Sequence, residues 1–346
     1  MASRSTTLKL VAKTCLHALT LYEKRTPLDR RIFQAGIAAH AVAEAVGTAV
    51  AGGAEFSEDL VHRIGESVVR QLVTVGRSFD GEPAPPMHID AAASGRDVAT
   101  RYLLMHPPSS SAKYEVGYAV DAEWQPTRYG PNAHYVAALD VVDVQEEGDE
   151  DSSGMTVIVT DYKSAWPTDE SELNTVQMKG QAAVAVAHHP EAGTVRRQVV
   201  NLRTGKTYSA DTVLDDAGMA DLEQWRRDID HAIAATKGPR PASPGVCCAG
   251  CPYVLACDAA KYVHGLDTPE ELARSYAAVQ ARRDALLVLV KEACAEGSIA
   301  VDGGAVGYIG VPERAATGQA VRVLAHRWFD AEGEEGDAEN ARLLSL

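Results

Sequence analysis

The placement of cysteine is the feature of this sequence that most constrains its fold. Four of the six cysteines lie between positions 247 and 257, and three of them form the pattern Cys248-x2-Cys251-x5-Cys257. Three soft thiolates on one short segment match the ligands of zinc or of an iron–sulfur cluster. The fourth ligand is either the adjacent Cys247 or the distant Cys15. We favour Cys15, because neighbouring cysteines rarely reach one metal without strain, and such a site would tie the two ends of a domain together.

Length and charge restrict the class of protein. The chain has 346 residues, of which 46% are hydrophobic, which is enough to bury a sizeable core. Its net charge of −15 disfavours a protein coated with basic surface for binding duplex DNA. Much of that charge lies in two acidic runs, at 146–151 and 330–339, which we expect to be solvated loops. The rest of the chain is nearly balanced and permits a local basic groove.

The N-terminal segment predicts a cytoplasmic protein. Lys9 and Lys13 interrupt the only apolar run that could serve as a signal peptide. The Ala- and Gly-rich stretch at 35–54 contains His40 and Glu44, so we expect a helix of a soluble core and no membrane segment. In a reducing compartment, clustered cysteines are expected to bind metal and not to form disulfides.

Apolar spacing and turn residues predict a mixed α and β chain. Helices are expected at residues 8–24, 35–46, 57–78, 171–187 and 216–236, and strands at 114–120, 134–144, 155–162 and 195–202. A Gly- and Pro-rich linker at 238–245 leads to the cysteines. Beyond it, Thr268-Pro-Glu-Glu271 is a capping-box pattern that opens a helix reaching about Cys294. We therefore predict one domain over residues 1–265 and a separate helical and β segment over 266–346.

Two carboxylates and a lysine occupy the ends of neighbouring predicted strands. Asp140 lies near the end of one strand, and Asp161-Tyr162-Lys163 ends the next. Adjacent strands of a hairpin can bring both carboxylates to one hard divalent cation, which prefers oxygen ligands and retains waters. A lysine two residues after an aspartate projects to the same face, where it can orient water or neutralise phosphate charge. The same pattern, taken alone, is also typical of solvated strand ends.

Several motifs in order resemble the RecB-like branch of the PD-(D/E)XK nuclease superfamily, over residues 10–260. A Gly-x-x-x-His helix of that family is similar to Gly36-Ile-Ala-Ala-His40, and its Gly-x-Ile-Asp strand to Ala137-Ala-Leu-Asp140. Its Asp-Tyr-Lys-Thr strand end is similar to Asp161-Tyr162-Lys163-Ser164. The family's Gln-x-x-x-Tyr helix resembles Gln177-Met-Lys-Gly-Gln181, which lacks the tyrosine. Either glutamine could be the equivalent residue, and we favour Gln177.

The resemblance implies an α/β, restriction-endonuclease-like core with a helical N-terminal region. By it, His40, Asp140, Asp161 and the Tyr162 carbonyl would bind Mg²⁺ or Mn²⁺, and Lys163 would position the attacking water. Members that carry a [4Fe–4S] cluster hold it with one upstream cysteine and a downstream Cys-x2-Cys-x5-Cys. Cys15, Cys248, Cys251 and Cys257 would then form a C-terminal iron–sulfur staple, with zinc as the alternative.

The implied activity is hydrolysis of DNA at its ends, with single strands as the expected substrate, in recombination or repair, phage DNA processing or CRISPR adaptation. A helicase, recombinase or CRISPR integrase is an expected partner, because the chain has no Walker A sequence of its own. The alternative is a catalytically silent module that binds nucleic acid or assembles a complex. Arg196, Arg197 and Arg203 could contact phosphates, although the solubility of an edge strand explains them equally well.

Overall fold

The computed structural model describes residues 3–4, 8, 15–23, 34–76, 86–130, 132–149, 152–164, 168–245, 248, 251, 253–260, 268–293, 299–301, 304–311 and 321–328. The chain divides into two compact units. The first comprises Met1–Ser243 with Cys251–Tyr253, and the second comprises Pro244–Gly250 with Val254–Leu346. In the described part of the chain, no helix combines the length and the apolar content needed to cross a membrane.

The first unit contains six helices and six strands among its described residues. The helices are α1 (Leu16–Glu23), α2 (Gln34–Ala51), α3 (Glu58–Thr74), α4 (Ile89–Met105), α5 (Val176–His188) and α6 (Asp216–Thr236). The strands are β1 (Ser3–Arg4), β2 (Lys113–Val120), β3 (Tyr135–Asp149), β4 (Ser152–Lys163), β5 (Thr194–Asn201) and β6 (Thr207–Val213). A 3-10 helix, Glu170–Asn174, precedes α5. The structure is therefore α/β, as the sequence predicts.

The strands form one mixed sheet with β3, β4 and β5 at its centre. One edge of β3 pairs antiparallel with β2, and the other edge pairs first with β1 and then antiparallel with β4. Strand β5 runs parallel to β4, and β6 is antiparallel to β5 at the sheet edge. Because β4 and β5 are parallel, their carboxyl ends meet at the same edge of the sheet. The residues that end both strands therefore lie together at this end of the sheet.

Helices cover both faces of the sheet, which produces two apolar cores. On one face, Met178 of α5 and Ile229 of α6 pack against Val157 and Val159 of β4. On the other face, α2 and α4 pack against residues that include Tyr162 and Val200. Side chains of β4 alternate between these cores, as strand geometry requires. Residues near the end of β4 are therefore placed between two layers of helices.

Helix α4 and strand β6 have no counterpart in the sequence prediction. The buried face of α4 consists largely of small residues, among them Ala92, Gly95 and Ala99, so its helical periodicity gives a weak hydrophobic signal. A Cβ added to Gly95 would stand 2.3 Å from the carbonyl oxygen of Ala35, which shows how closely α4 approaches α2. Strand β6 is a mostly exposed edge strand of polar sequence.

The first acidic run is not a loop. Strand β3 continues to Asp149 and pairs with β4 through Asp149 and Ser152, so residues 146–149 extend a long hairpin. The expectation of a loop was wrong there because a charged side chain can keep its solvation while its backbone pairs in a strand. Glu146 is indeed exposed. Residues 150–151 and the second acidic run lie outside the described residues.

The second unit contains one long helix and a small antiparallel sheet among its described residues. These are α7 (Pro269–Ala293), β7 (Ile299–Val301), β8 (Gly304–Val311) and β9 (Val321–Trp328). The predicted capping box is confirmed. The Glu271 N–H donates to Thr268 Oγ1 at 3.2 Å, and the Thr268 N–H donates to Glu271 Oε2 at 3.2 Å. The domain boundary at residue 265 stays a prediction.

Candidate active site

The candidate site lies where the regular hydrogen-bonded ladder between strands β3 and β4 ends. The last ladder pair on that side is Val141 with Thr160, so Asp140 and Asp161 are the next residues in register. The backbone N–H of Tyr162 donates to Asp140 Oδ2 at 2.7 Å, in place of a carbonyl of the neighbouring strand. A carboxylate thus occupies the gap between the two strands and is fixed by the backbone of β4.

A backbone distortion accompanies this gap. Glu115 of β2 adopts a φ of 48°, and its neighbours Tyr114 and Val116 pair with Val141 and Leu139. Glu115 therefore lies opposite Asp140. A non-glycine residue with positive φ is uncommon, and such outliers concentrate at functional sites. No feature of the sequence predicts this conformation.

Three polar side chains form a buried cluster at the end of β4. Lys163 forms an ion pair with Asp161 Oδ2. Gln177, on the first turn of α5, donates from Nε2 to Asp161 Oδ1 at 2.7 Å, and its Oε1 accepts from Lys163 Nζ at 3.4 Å. Asp161, Lys163 and Gln177 are only 2%, 8% and 7% exposed. Burial of charge is costly, so this cluster requires mutual neutralisation to persist.

His40 joins the site from α2. Its Nδ1 lies 3.5 Å from Asp140 Oδ2, and the two side chains are 27% and 17% exposed. Burial alone would lower the pKa of His40, but the Asp140 carboxylate outweighs it and the pKa is raised. Burial alone would raise the pKa of Asp140, but His40 and the Tyr162 N–H outweigh it and the pKa is lowered. The pair is therefore stabilised in its charged form.

Gly36 allows α2 to come this close. A Cβ at position 36 would stand 2.5 Å from Ser164 Oγ, so the glycine lies directly against the residue that follows Lys163. His40 is one turn further along the same helix. The Gly-x-x-x-His spacing thus combines a close approach with a candidate ligand on one helix face.

The contacts of the two candidate glutamines differ. Gln177 contacts both Asp161 and Lys163. Gln181 donates from Nε2 to the backbone carbonyl of Ala138 at 3.0 Å, so it holds α5 against β3. Helix α5 begins at Val176 with Thr175 as its N-cap, five residues later than the sequence predicts, and this places Gln177 on the first turn.

The donor set fits a hard divalent cation that retains waters. Asp161 Oδ2 is buried, and Lys163 is its sole partner among the described residues. In that part of the chain, no three His, Cys, Asp or Glu side chains stand together as a ready-made metal cage. Mg²⁺ and Mn²⁺ do not need one, because they are commonly held by one or two carboxylates plus water and substrate oxygens. The Lys163 ammonium occupies the place where a cation would neutralise Asp161.

Other acidic and histidine side chains near the sheet have structural partners. Asp143 accepts from Ser111 Oγ at 2.7 Å and from Gln145 Nε2 at 2.9 Å. His188 Nε2 lies 2.9 Å from the carbonyl oxygen of Ala119, at the end of α5. Both side chains are therefore held by partners within the fold.

The cysteines predicted to hold a cluster divide between the two units. Cys15 and Cys251 belong to the first unit, and Cys248 and Cys257 to the second. None of the four forms a disulfide bond. Cys247 and Cys294 lie outside the described residues. Since the described side chains include no group of three such ligands, the iron–sulfur staple is not shown by the structure.

Comparison with known proteins agrees with the geometry of the site. A family model of the PD-(D/E)XK nuclease superfamily matches residues 11–258. No curated protein sequence matches the chain. Among solved structures, the crystal structure of SSO0001 matches at 11% identity with a TM-score of 0.30, covering 75% of this chain and 86% of that chain. The family match spans most of the chain and includes His40, Asp140, Asp161, Lys163 and Gln177. The chain therefore belongs to the PD-(D/E)XK nuclease superfamily.

Proposed function

We propose that this protein is a Mg²⁺- or Mn²⁺-dependent exonuclease that hydrolyses single-stranded DNA from its ends. One observation carries the proposal. Asp161, Lys163 and Gln177 form a buried, hydrogen-bonded cluster beside Asp140 and His40, at the end of β4. Charged groups buried together in this way are expensive for stability and concentrate at functional sites.

Each side chain has a role in phosphodiester hydrolysis. Asp140, Asp161, His40 and the Tyr162 carbonyl would hold the divalent cation, which supplies Lewis-acid polarisation of the phosphoryl group and of the attacking water. Lys163 orients the water and neutralises the charge that develops on the phosphoryl oxygens. Gln177 fixes the positions of Asp161 and Lys163 through its two hydrogen bonds. No side chain needs to act as a nucleophile.

The preference for DNA ends rests on the resemblance to the RecB-like branch. Its test compares a linear single strand labelled at one end with a closed circle of the same sequence. An exonuclease releases labelled nucleotides from the linear strand and leaves the circle intact. Cleavage of the circle at a comparable rate would replace the exonuclease with an endonuclease.

The same resemblance supports recombination or repair, phage DNA processing and CRISPR adaptation as settings, with a helicase, recombinase or integrase as partner.

We also propose that Cys15, Cys248, Cys251 and Cys257 hold a [4Fe–4S] cluster. The donor chemistry supports this, because four thiolates are the ligand set of such clusters. Within the first unit, helix α1, which follows Cys15, contacts Arg240 of the linker. Arg240 Nη1 donates to Glu23 Oε2 at 2.5 Å, and His17 Nδ1 lies 3.4 Å from the Arg240 carbonyl oxygen.

Protein purified without oxygen tests the cluster. A brown protein containing iron and sulfide, with colour lost in Cys251→Ser, supports it. A colourless protein with stoichiometric zinc replaces the cluster with a zinc site. If the wild-type protein binds DNA but never hydrolyses it with either cation, the chain is a silent binding module.

A further inference from the structure

The three arginines of β5 and the turn after it have different environments. Arg196 donates from Nε and Nη2 to the two oxygens of Asp211, both at 2.7 Å. Arg197 is buried, donates from Nη1 to the carbonyl of Leu173 at 2.9 Å and lies 4.4 Å over the ring of Trp225. An arginine that is already paired with a carboxylate, or one that is buried, cannot readily bind a substrate phosphate. The structure therefore removes Arg196 and Arg197 from the candidates.

Arg203 differs from both because it is exposed and adjoins the active site. Its Nε donates to the backbone carbonyl of Ser164 at 2.7 Å, and Ser164 directly follows Lys163. No carboxylate pairs with Arg203 among the residues that the structure describes. The hydrogen bond to Ser164 uses one N–H, and a guanidinium has five. Because Arg203 is exposed, its other donors remain available to a ligand.

The turn that carries Arg203 is held rigidly. Asn201, at the end of β5, is buried, and its Oδ1 accepts from the N–H groups of Arg203 and Thr204 at 2.9 and 3.2 Å. The Leu202 N–H donates to the Lys163 carbonyl at 2.8 Å. Gly205 adopts a φ of 69°, which closes the turn in a conformation that favours glycine. The position of Arg203 relative to Lys163 is thus fixed by the backbone on both sides.

We propose that Arg203 binds a phosphate of the substrate strand next to the scissile one, as a substrate-positioning residue of the proposed nuclease. This rests on the proposed function and adds a residue to it. In a chain of net charge −15, a fixed cation next to Ser164 that pairs with no carboxylate of the described residues offers a specific anion site. A guanidinium can donate two parallel N–H bonds to the oxygens of a phosphate. The hydrogen bond from Nε to Ser164 leaves the other N–H groups of Arg203 available for this.

Binding of a labelled single-stranded oligonucleotide to the full chain, without added divalent cation and over a range of NaCl, tests this inference. Arg203→Ala loses one phosphate contact, so it should bind the oligonucleotide about 10-fold more weakly. The slope of log affinity against log NaCl concentration, here called the salt slope, should fall in magnitude by about 0.7. Arg203→Lys should retain the slope with weaker binding. Arg196→Ala removes an equal charge from the opposite end of β5 and should leave binding and slope unchanged.

Kinetics separate binding from a structural role. With Mg²⁺ or Mn²⁺, Arg203→Ala should raise KM and leave kcat nearly unchanged, since the contact exists in both ground and transition states. An unchanged salt slope, or an equal effect of Arg196→Ala, overturns the inference. If the wild type hydrolyses DNA in that case, the proposed function still stands. If the wild type neither binds nor hydrolyses DNA, both fail.

Discussion

The Lys163 ammonium forms an ion pair with the Asp161 carboxylate two residues earlier on β4, in a site where both side chains are almost fully buried. The lysine thus neutralises the carboxylate that we propose as a metal ligand. Gln177 holds both partners by a hydrogen bond to each. The metal site and the charge-compensating lysine are therefore coupled, and the first two predictions follow from this coupling.

Removal of the lysine should separate metal binding from chemistry. In Lys163→Met, a divalent cation no longer competes with an ammonium for Asp161, so Mn²⁺ affinity should rise. The rate of DNA hydrolysis should fall by about 100-fold or more, because a donor to the developing phosphoryl charge is lost. Titration calorimetry with Mn²⁺ and initial rates measure the two effects. Lys179→Met, which removes the ion pair between Lys179 of α5 and Asp228 of α6, is the control. Weaker Mn²⁺ binding in Lys163→Met would contradict the prediction.

The two glutamines of α5 should give opposite phenotypes. Gln177→Ala leaves Asp161 and Lys163 without their common partner, so kcat should fall by about 10- to 100-fold, as for residues that orient metal ligands. Gln181→Ala removes the hydrogen bond to the Ala138 carbonyl and should lower the melting temperature while the folded enzyme keeps its kcat. Kinetics and thermal unfolding of both variants decide the matter. A catalytic defect confined to Gln181→Ala would reverse the assignment.

Metal binding should depend on the protonation of His40. Its pKa is raised in the metal-free protein because the Asp140 carboxylate outweighs the effect of burial. A protonated imidazole cannot be a ligand, so a cation must displace this proton, and Mn²⁺ affinity should increase as the pH rises through the raised pKa of His40. His40→Gln should bind more weakly and with a flatter pH dependence. An equally steep dependence in His40→Gln would show that another group titrates.

Close packing of α2 on α4 should be sensitive to a single methyl group. Gly95→Ala would place a Cβ 2.3 Å from the Ala35 carbonyl oxygen and 2.6 Å from Ala38 Cβ, so one helix must move. We expect a loss of about 1 to 3 kcal/mol in the free energy of unfolding, measured by urea denaturation. Gly193→Ala has no neighbour within 4 Å of the new Cβ and serves as the control. Equal stabilities of the two variants would contradict this packing.

The sequence predicts the strands of the site well because their residues are distinctive. Apolar, Val-rich runs on either side of Asp140 and before Asp161-Tyr162-Lys163 are strong signals of neighbouring strands, and the structure places Asp140 inside β3 and not at its end. Helix α6 is predicted at residues 216–236, the same bounds that the structure has. Helix α4 escapes prediction because its buried side is built from alanine and glycine, whose burial leaves little hydrophobic contrast. The contact with α2, which the local sequence does not show, is what identifies these residues as a helix.

Geometry within the site could not be predicted from residue types. The hydrogen bond from the Tyr162 N–H to Asp140 depends on where the β3–β4 ladder ends, and the positive φ of Glu115 depends on strand pairing. The choice among Arg196, Arg197 and Arg203 depends on partners from distant elements, such as Asp211 and Ser164. Long-range contacts of this kind leave no local sequence pattern.

The most direct test of the central claim compares two aspartates with opposite roles. Asp161→Asn keeps the size of the side chain but removes a charge that pairs with Lys163, whereas Asp143→Asn changes a buried aspartate of β3 that is hydrogen-bonded to Ser111 and Gln145. Both folded variants and the wild type are incubated with end-labelled single-stranded DNA and Mg²⁺ or Mn²⁺. The account predicts degradation by the wild type and by Asp143→Asn, and none by Asp161→Asn. Degradation by folded Asp161→Asn at the wild-type rate would contradict it.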